Sequence, residues 1–256
     1  MKQEIKMANE PSKACMCNPA APGDAYLAKG TYQNVDGLKL YVTGPASSKA
    51  AIVFVYDVYG YSDQNLIGAD MLSELTSSLV IMPDILGDVV IPPSYGDFSG
   101  ISQEEQTAIK GRLMRKINGF QVIPGQILEG PANWKPVAPH VEKWGVFGLC
   151  FGGKVVALTS REGTPFVVSG QAHPSFIQPD DPKLMVIPHI CLASKDEAPV
   201  DIDMYKAILG DKGYVATYPE SIHGWMGTRC NLKDSRQKAS FDRGYNQVAD
   251  FFNSHF

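Results

Sequence analysis

A five-residue corner, Gly148-Leu149-Cys150-Phe151-Gly152, constrains this chain more than any other feature. It follows the apolar run Trp144-Gly145-Val146-Phe147 and precedes Gly153-Lys154-Val155-Val156, so it joins a strand to a helix. The pattern is that of a nucleophile elbow, G-x-S-x-G, with cysteine in the place of serine. Such a turn is so sharp that its central residue is held in a strained backbone conformation. Small residues two before and two after it let strand and helix approach closely. The helix start also sets a positive partial charge beside the thiol, which favours the thiolate. A buried structural cysteine is the competing reading, because free cysteines are commonly buried. The agreement of strand, corner, helix and downstream partners favours a nucleophile.

The rest of the chain supplies the fold this corner needs. Residues 1–25 lack apolar periodicity and are expected to be an irregular leader; residues 26–256 are expected to form a single α/β domain. Tyr32 to Val42 should form a β-hairpin turning at Asp36-Gly37. Ala51 to Tyr56 is a continuous apolar run, expected of a strand buried on both faces. Strands are also expected at 79–82, 144–148, 166–169, 187–193 and 214–218, and helices at 70–78, 103–116, 152–160, 199–209 and 235–253. Residues 85–100 read as a long loop, and four prolines leave 120–140 ambiguous. Strands alternating with helices imply right-handed crossovers and a mainly parallel, doubly wound sheet, with the hairpin at one edge. Ligands in such sheets sit at the carboxyl ends of the strands.

Composition excludes several classes. Of 256 residues 44% are hydrophobic and 20% charged, which is ordinary for a folded chain able to bury a sizeable core. The 23 basic against 27 acidic residues leave a net charge of −4 and no basic run, so nucleic acid is not an expected partner. No stretch approaches the ~20 apolar residues of a membrane helix. No apolar segment follows Met1-Lys2-Gln3-Glu4-Ile5-Lys6, and the five cysteines are an odd count, so a cytoplasmic location is expected. Cys15 and Cys17 lack a second pair and no two histidines show a ligand spacing, so no metal or other cofactor is expected.

An elbow nucleophile needs an orienting acid and a base, which in this architecture follow it in that order. Asp196 comes just after the strand ending Leu192-Ala193-Ser194, and His223 just after the strand ending at Tyr218. Cys150, Asp196 and His223 therefore form the expected triad; Glu197 is a close rival to Asp196, which is favoured. The oxyanion donors should be the N–H groups of Phe151 and of Val58, the latter in the loop after an early strand. His173 also follows a strand and is expected either to line the site or to pack, whereas His189 and Cys191, inside a strand, read as core.

Val55-Tyr56-Asp57-Val58-Tyr59-Gly60, Met82-Pro83-Asp84, the cysteine elbow, Lys195-Asp196 and His223-Gly224-Trp225 together resemble the dienelactone hydrolase family, its fungal branch above all. The resemblance runs from about Lys29 to the C-terminus. It implies the α/β-hydrolase fold, and hydrolysis of a lactone or ester through a Cys-His-Asp triad and an acyl-enzyme. It also implies an acid contacting the resting thiol; here that residue is Asp57, one methylene shorter than the glutamate of other members. A family arginine that holds the substrate carboxylate corresponds to Arg229. Asp57, Tyr59, His173, Trp225 and Arg229 are thus expected to meet a small-molecule substrate, in a monomer or homodimer. Two other outcomes stay open: a lyase, isomerase or cyclase using the same thiol and imidazole, and a non-catalytic binding protein.

Overall fold

Asp36 and Gly37 both adopt positive φ, 51° and 83°, which is the geometry that turns a tight hairpin along the right-handed twist of its strands. That turn joins β1 (Thr31–Val35) to β2 (Leu38–Thr43), the expected N-terminal hairpin. The computed structural model describes residues 20–21, 26–92 and 100–256. The expected leader, with Cys15 and Cys17, lies outside these residues apart from Ala20 and Ala21.

Six further strands complete the sheet: β3 (Ala50–Val55), β4 (Leu79–Pro83), β5 (Lys143–Leu149), β6 (Val168–Ala172), β7 (His189–Ser194) and β8 (Gly213–Tyr218). Their order is β1-β2-β4-β3-β5-β6-β7-β8; β3 to β8 pair in parallel with one another, whereas β1 with β2 and β2 with β4 pair antiparallel. The α/β class and the mainly parallel sheet are as the sequence led one to expect. β4 and β5 flank β3, whose side chains are buried on both faces, which is why its sequence is apolar without alternation.

The helices are α1 (Asp63–Thr76), α2 (Gln103–Ile117), α3 (Ile123–Asn133), α4 (Phe151–Thr159), α5 (Pro199–Leu209) and α6 (Ser235–Asn253). α1 begins seven residues earlier than its apolar spacing suggests, because Ser62 caps it by accepting the Asn65 N–H. The ambiguous 120–140 stretch contains α3. Pro124 sits in its first turn, where no N–H partner is required, and Pro131 in its last.

Two helices clasp β5 from opposite faces. A Cβ added at Gly145 would come within 2.8 Å of Phe252 on α6, and Phe147 meets Tyr245 and Phe252 edge-on. Gly148 points the other way, where a Cβ would lie 2.2 Å from the Gly152 carbonyl oxygen of α4. The alternation of a strand therefore hands odd positions to α6 and the glycine before the elbow to α4. Among the described residues no helix is long and apolar enough to cross a membrane.

Candidate active site

Cys150 stands at the top of β5 with φ 56° and ψ −118°, a conformation that costs a non-glycine residue energy. Both elbow glycines are sterically required. A Cβ at Gly152 would lie 2.3 Å from the Val55 carbonyl oxygen at the end of β3, besides the clash already noted at Gly148. That close approach sets the loop after β3, which carries Val58, beside the N-terminus of α4. As first residue of α4, Phe151 has an N–H with no carbonyl inside the helix to receive it.

His223 reaches the thiol from the loop after β8. Its Nε2 lies 3.3 Å from Cys150 Sγ, and its Nδ1 lies 2.7 Å from Glu197 Oε1. Glu197 is buried, and its Oε2 accepts the Ser194 N–H. Asp196 does something else: its Oδ2 accepts the backbone N–H of His223 at 2.7 Å. The expectation that Asp196 meets the imidazole is thus corrected. The chain turns at the end of β7 so that Glu197 points inward beneath the ring, and Asp196 steadies the histidine's backbone.

A serine that sequence reasoning passed over completes the cluster. Ser175 Oγ lies 3.2 Å from Cys150 Sγ and 3.4 Å from His223 Nε2. Its N–H donates to the Cys150 carbonyl at 3.0 Å, while the His173 N–H donates to Leu192. The segment after β6 thereby crosses the strand ends directly over the elbow. Its position immediately after a strand, in His173-Pro174-Ser175, was the available signal.

His173 is fully buried, with its ring edge-on to that of His223 at 5.1 Å. Burial holds its pKa well below the usual 6.5, and the nearby His223 and Arg229 push the same way. Neither of its ring nitrogens has a hydrogen-bond partner among the described residues. Arg229 is also buried; its Nη2 is 3.4 Å from the Tyr59 hydroxyl, and its guanidinium stands 5.5 Å from the Tyr59 ring centre. Gly224, at φ 97°, leaves room for the arginine stem, which a Cβ there would meet at 2.7 Å. A cation paired with a phenol therefore lies close enough to the His173 imidazole to act on it, and that imidazole in turn packs against His223.

Two expected substrate contacts serve the scaffold instead. Asp57 Oδ1 accepts from Tyr59 N, Asn65 Nδ2 and Thr228 Oγ1, and Oδ2 accepts from Thr228 N, at 2.9–3.0 Å. Four donors are about what a carboxylate can accommodate, so Asp57 braces the histidine loop against β3 and α1 rather than serving thiol or substrate. Trp225 stacks on Tyr218, with ring centres 4.2 Å apart, and packs over Gly244 of α6. Its buried indole N–H has no hydrogen-bond partner among the described residues. Among the described residues no group of three or more histidine, cysteine, aspartate or glutamate side chains could hold a metal ion.

The chain is 30% identical over 239 residues to an uncharacterized AIM2 family protein of Schizosaccharomyces pombe, covering 88% of this chain and 90% of that one. It is 34% identical over 154 residues to a carboxymethylenebutenolidase homolog of Xenopus tropicalis, covering 58% and 56%. The solved dienelactone hydrolase of Anabaena variabilis shares the fold with a TM-score of 0.60 at 13% identity, over 89% of this chain and 97% of that one. The dienelactone hydrolase family model matches residues 38–256, and the chain belongs to that family.

Proposed function

We propose that this chain hydrolyses a lactone or ester of a small, carboxylate-bearing molecule through a Cys150–His223–Glu197 triad. The observation that carries the reading is Cys150 Sγ, held at positive φ on the elbow, 3.3 Å from His223 Nε2. Glu197 accepts from Nδ1, which leaves the Nε2 lone pair facing the thiol. His223 takes the thiol proton, and the thiolate attacks the carbonyl carbon. The N–H groups of Val58 and Phe151 receive the developing oxyanion. The C–O bond to the alkoxide breaks as His223 returns the proton to that oxygen, leaving an acyl-cysteine. Water, deprotonated by the same imidazole, then hydrolyses the thioester and regenerates the thiol.

The buried Arg229 beside Tyr59 supports a carboxylate on the substrate, since a guanidinium in a low-dielectric site binds an anion more strongly than it would in water. Thioester chemistry suits lactones and activated esters better than amides, because a thiolate leaves more readily than an amine. Cytoplasmic location and a small-molecule partner belong to the same proposal.

The test is Cys150→Ala assayed on lactones and aryl esters, with turnover expected to fall to background. Near wild-type turnover would overturn the assignment. Incorporation of oxygen-18 from solvent into the acid product is expected; unlabelled product would point to an isomerase or cyclase.

A further inference from the structure

We propose that Ser175 is a catalytic residue, whose hydroxyl relays the Cys150 proton to His223 and then stabilises the thiolate. The proposal deepens the hydrolase reading and rests on Cys150 being its nucleophile. Three reacting atoms form a nearly equilateral triangle: Sγ to Oγ is 3.2 Å, Oγ to Nε2 is 3.4 Å and Nε2 to Sγ is 3.3 Å. Sγ and Nε2 are the two groups the Ser175 hydroxyl meets among the described residues. Ser175 is fully buried, so no solvent competes for that proton.

The triangle cannot be satisfied by one pair alone. Because Glu197 accepts from Nδ1, neutral His223 offers a single lone pair at Nε2, and both S–H and O–H face it. The arrangement that uses every donor runs S–H to Oγ and O–H to Nε2. Ionisation then moves two protons: the S–H bond breaks as a new O–H bond forms, and the old O–H bond breaks as N–H forms. Serine ends neutral, the imidazole protonated and the sulfur anionic. The hydroxyl turns to donate to the thiolate, a charge-assisted bond stronger than the neutral one it replaces.

Position supports the assignment as well as distance. The Ser175 N–H donates to the carbonyl of Cys150 itself, so the hydroxyl is referenced to the backbone of the residue it serves. A serine present only to fill space needs neither this tie nor contact with both partners. The Ser175→Ala change leaves that backbone bond intact and removes a single oxygen, so the fold should survive it.

The experiment is the pH dependence of Cys150 alkylation by iodoacetamide, followed by peptide mass mapping in wild type, Ser175→Ala and Ser175→Thr. In Ser175→Ala the ionisation midpoint should rise by about one unit, with alkylation about tenfold slower at pH values below it. Ser175→Thr keeps the hydroxyl and should restore most of that difference. An unchanged or lowered midpoint in Ser175→Ala, or equal shifts in both variants, would overturn the proposal. Should Ser175→Ala not fold, Ser175→Cys, of similar size and with a weak donor, must show the same rise, the two thiols being resolved by mapping. If wild-type Cys150 itself titrates near the ordinary ~8.5, the nucleophile reading fails and the role of Ser175 falls with it. If wild type titrates low and Ser175→Ala matches it, Ser175 alone is refuted.

Discussion

His223 and Glu197 meet through Nδ1 and Oε1 at 2.7 Å, both buried, although Asp196 sits one residue earlier and also touches His223. The two acids divide the work between ring and backbone. Glu197→Gln preserves size but can donate as well as accept, so it no longer selects the tautomer with its lone pair at Nε2. We expect kcat to fall about 10³- to 10⁴-fold for Glu197→Gln and less than about tenfold for Asp196→Asn. Steady-state kinetics of the two variants decide; the reverse order would return the orienting role to Asp196.

Arg229 should separate substrates by charge. With Arg229→Gln, KM for carboxylate-bearing lactones should rise about 10- to 100-fold, as for loss of a hydrogen bond to a charged group, while neutral aryl esters change little. Equal effects on both substrate types would remove Arg229 from substrate recognition.

Asp57 is predicted to matter for stability before chemistry. Asp57→Ala would leave the Asn65 amide, the Tyr59 and Thr228 N–H groups and the Thr228 hydroxyl without their common acceptor. The expected loss is about 3 kcal/mol or more, measured by urea unfolding. Little loss of stability, with a shifted Cys150 alkylation midpoint, would show that the acid serves the thiol after all.

Lys154 and Asp181 form a buried ion pair at 2.7 Å that ties α4 to the segment carrying Ser175; Lys154 Nζ also donates to Gln178 Oε1 at 2.9 Å. Lys154→Met should cost about 1.5–3 kcal/mol, because it leaves the buried Asp181 carboxylate with only its longer 3.3 Å contact to Arg161, and Lys154→Met with Asp181→Leu should recover most of it. Chemical denaturation of the single and double variants measures the coupling. An additive double variant would show that the pair is not the source of the loss.

Two histidines predict how stability depends on pH. Burial pushes His189 down to about 3, and burial, with His223 and Arg229, holds His173 well below 6.5. In the unfolded chain both bind a proton below about pH 6.5, so there the unfolded state carries more protons and folding weakens as pH falls. Stability should be full above pH 6.5 and decline toward pH 3 by at most about 1.4 kcal/mol per unit for each histidine. His189→Gln should remove one proton's share of that slope in urea unfolding between pH 7 and 5. A flat wild-type profile over this range would contradict the assignment of both rings as neutral.

The sequence by itself determined whatever a few neighbouring residues impose on their own backbone. Asp36-Gly37 turns a hairpin, the unbroken apolar run of β3 demands cover on both faces, and Gly148 and Gly152 permit an elbow that any larger residue would jam. Each is a steric or solvation constraint acting over a few bonds, so it shows in order and composition. The helix at 123–133 is hidden in the sequence because Pro124 and Pro131 interrupt its periodic pattern, although Pro124 falls in the first turn, where it is tolerated.

Only the tertiary structure decided which side chains converge. The choice of Glu197 over Asp196, the arrival of Ser175 between sulfur and nitrogen, and the diversion of Asp57 to Thr228 depend on how loops from four strand ends lie across one another. Those placements follow from long-range ties such as Lys154 to Asp181 and Asp57 to the histidine loop, between residues far apart in the chain. A one-residue difference in where a strand ends swaps which neighbour points inward, because successive side chains on extended backbone face opposite ways.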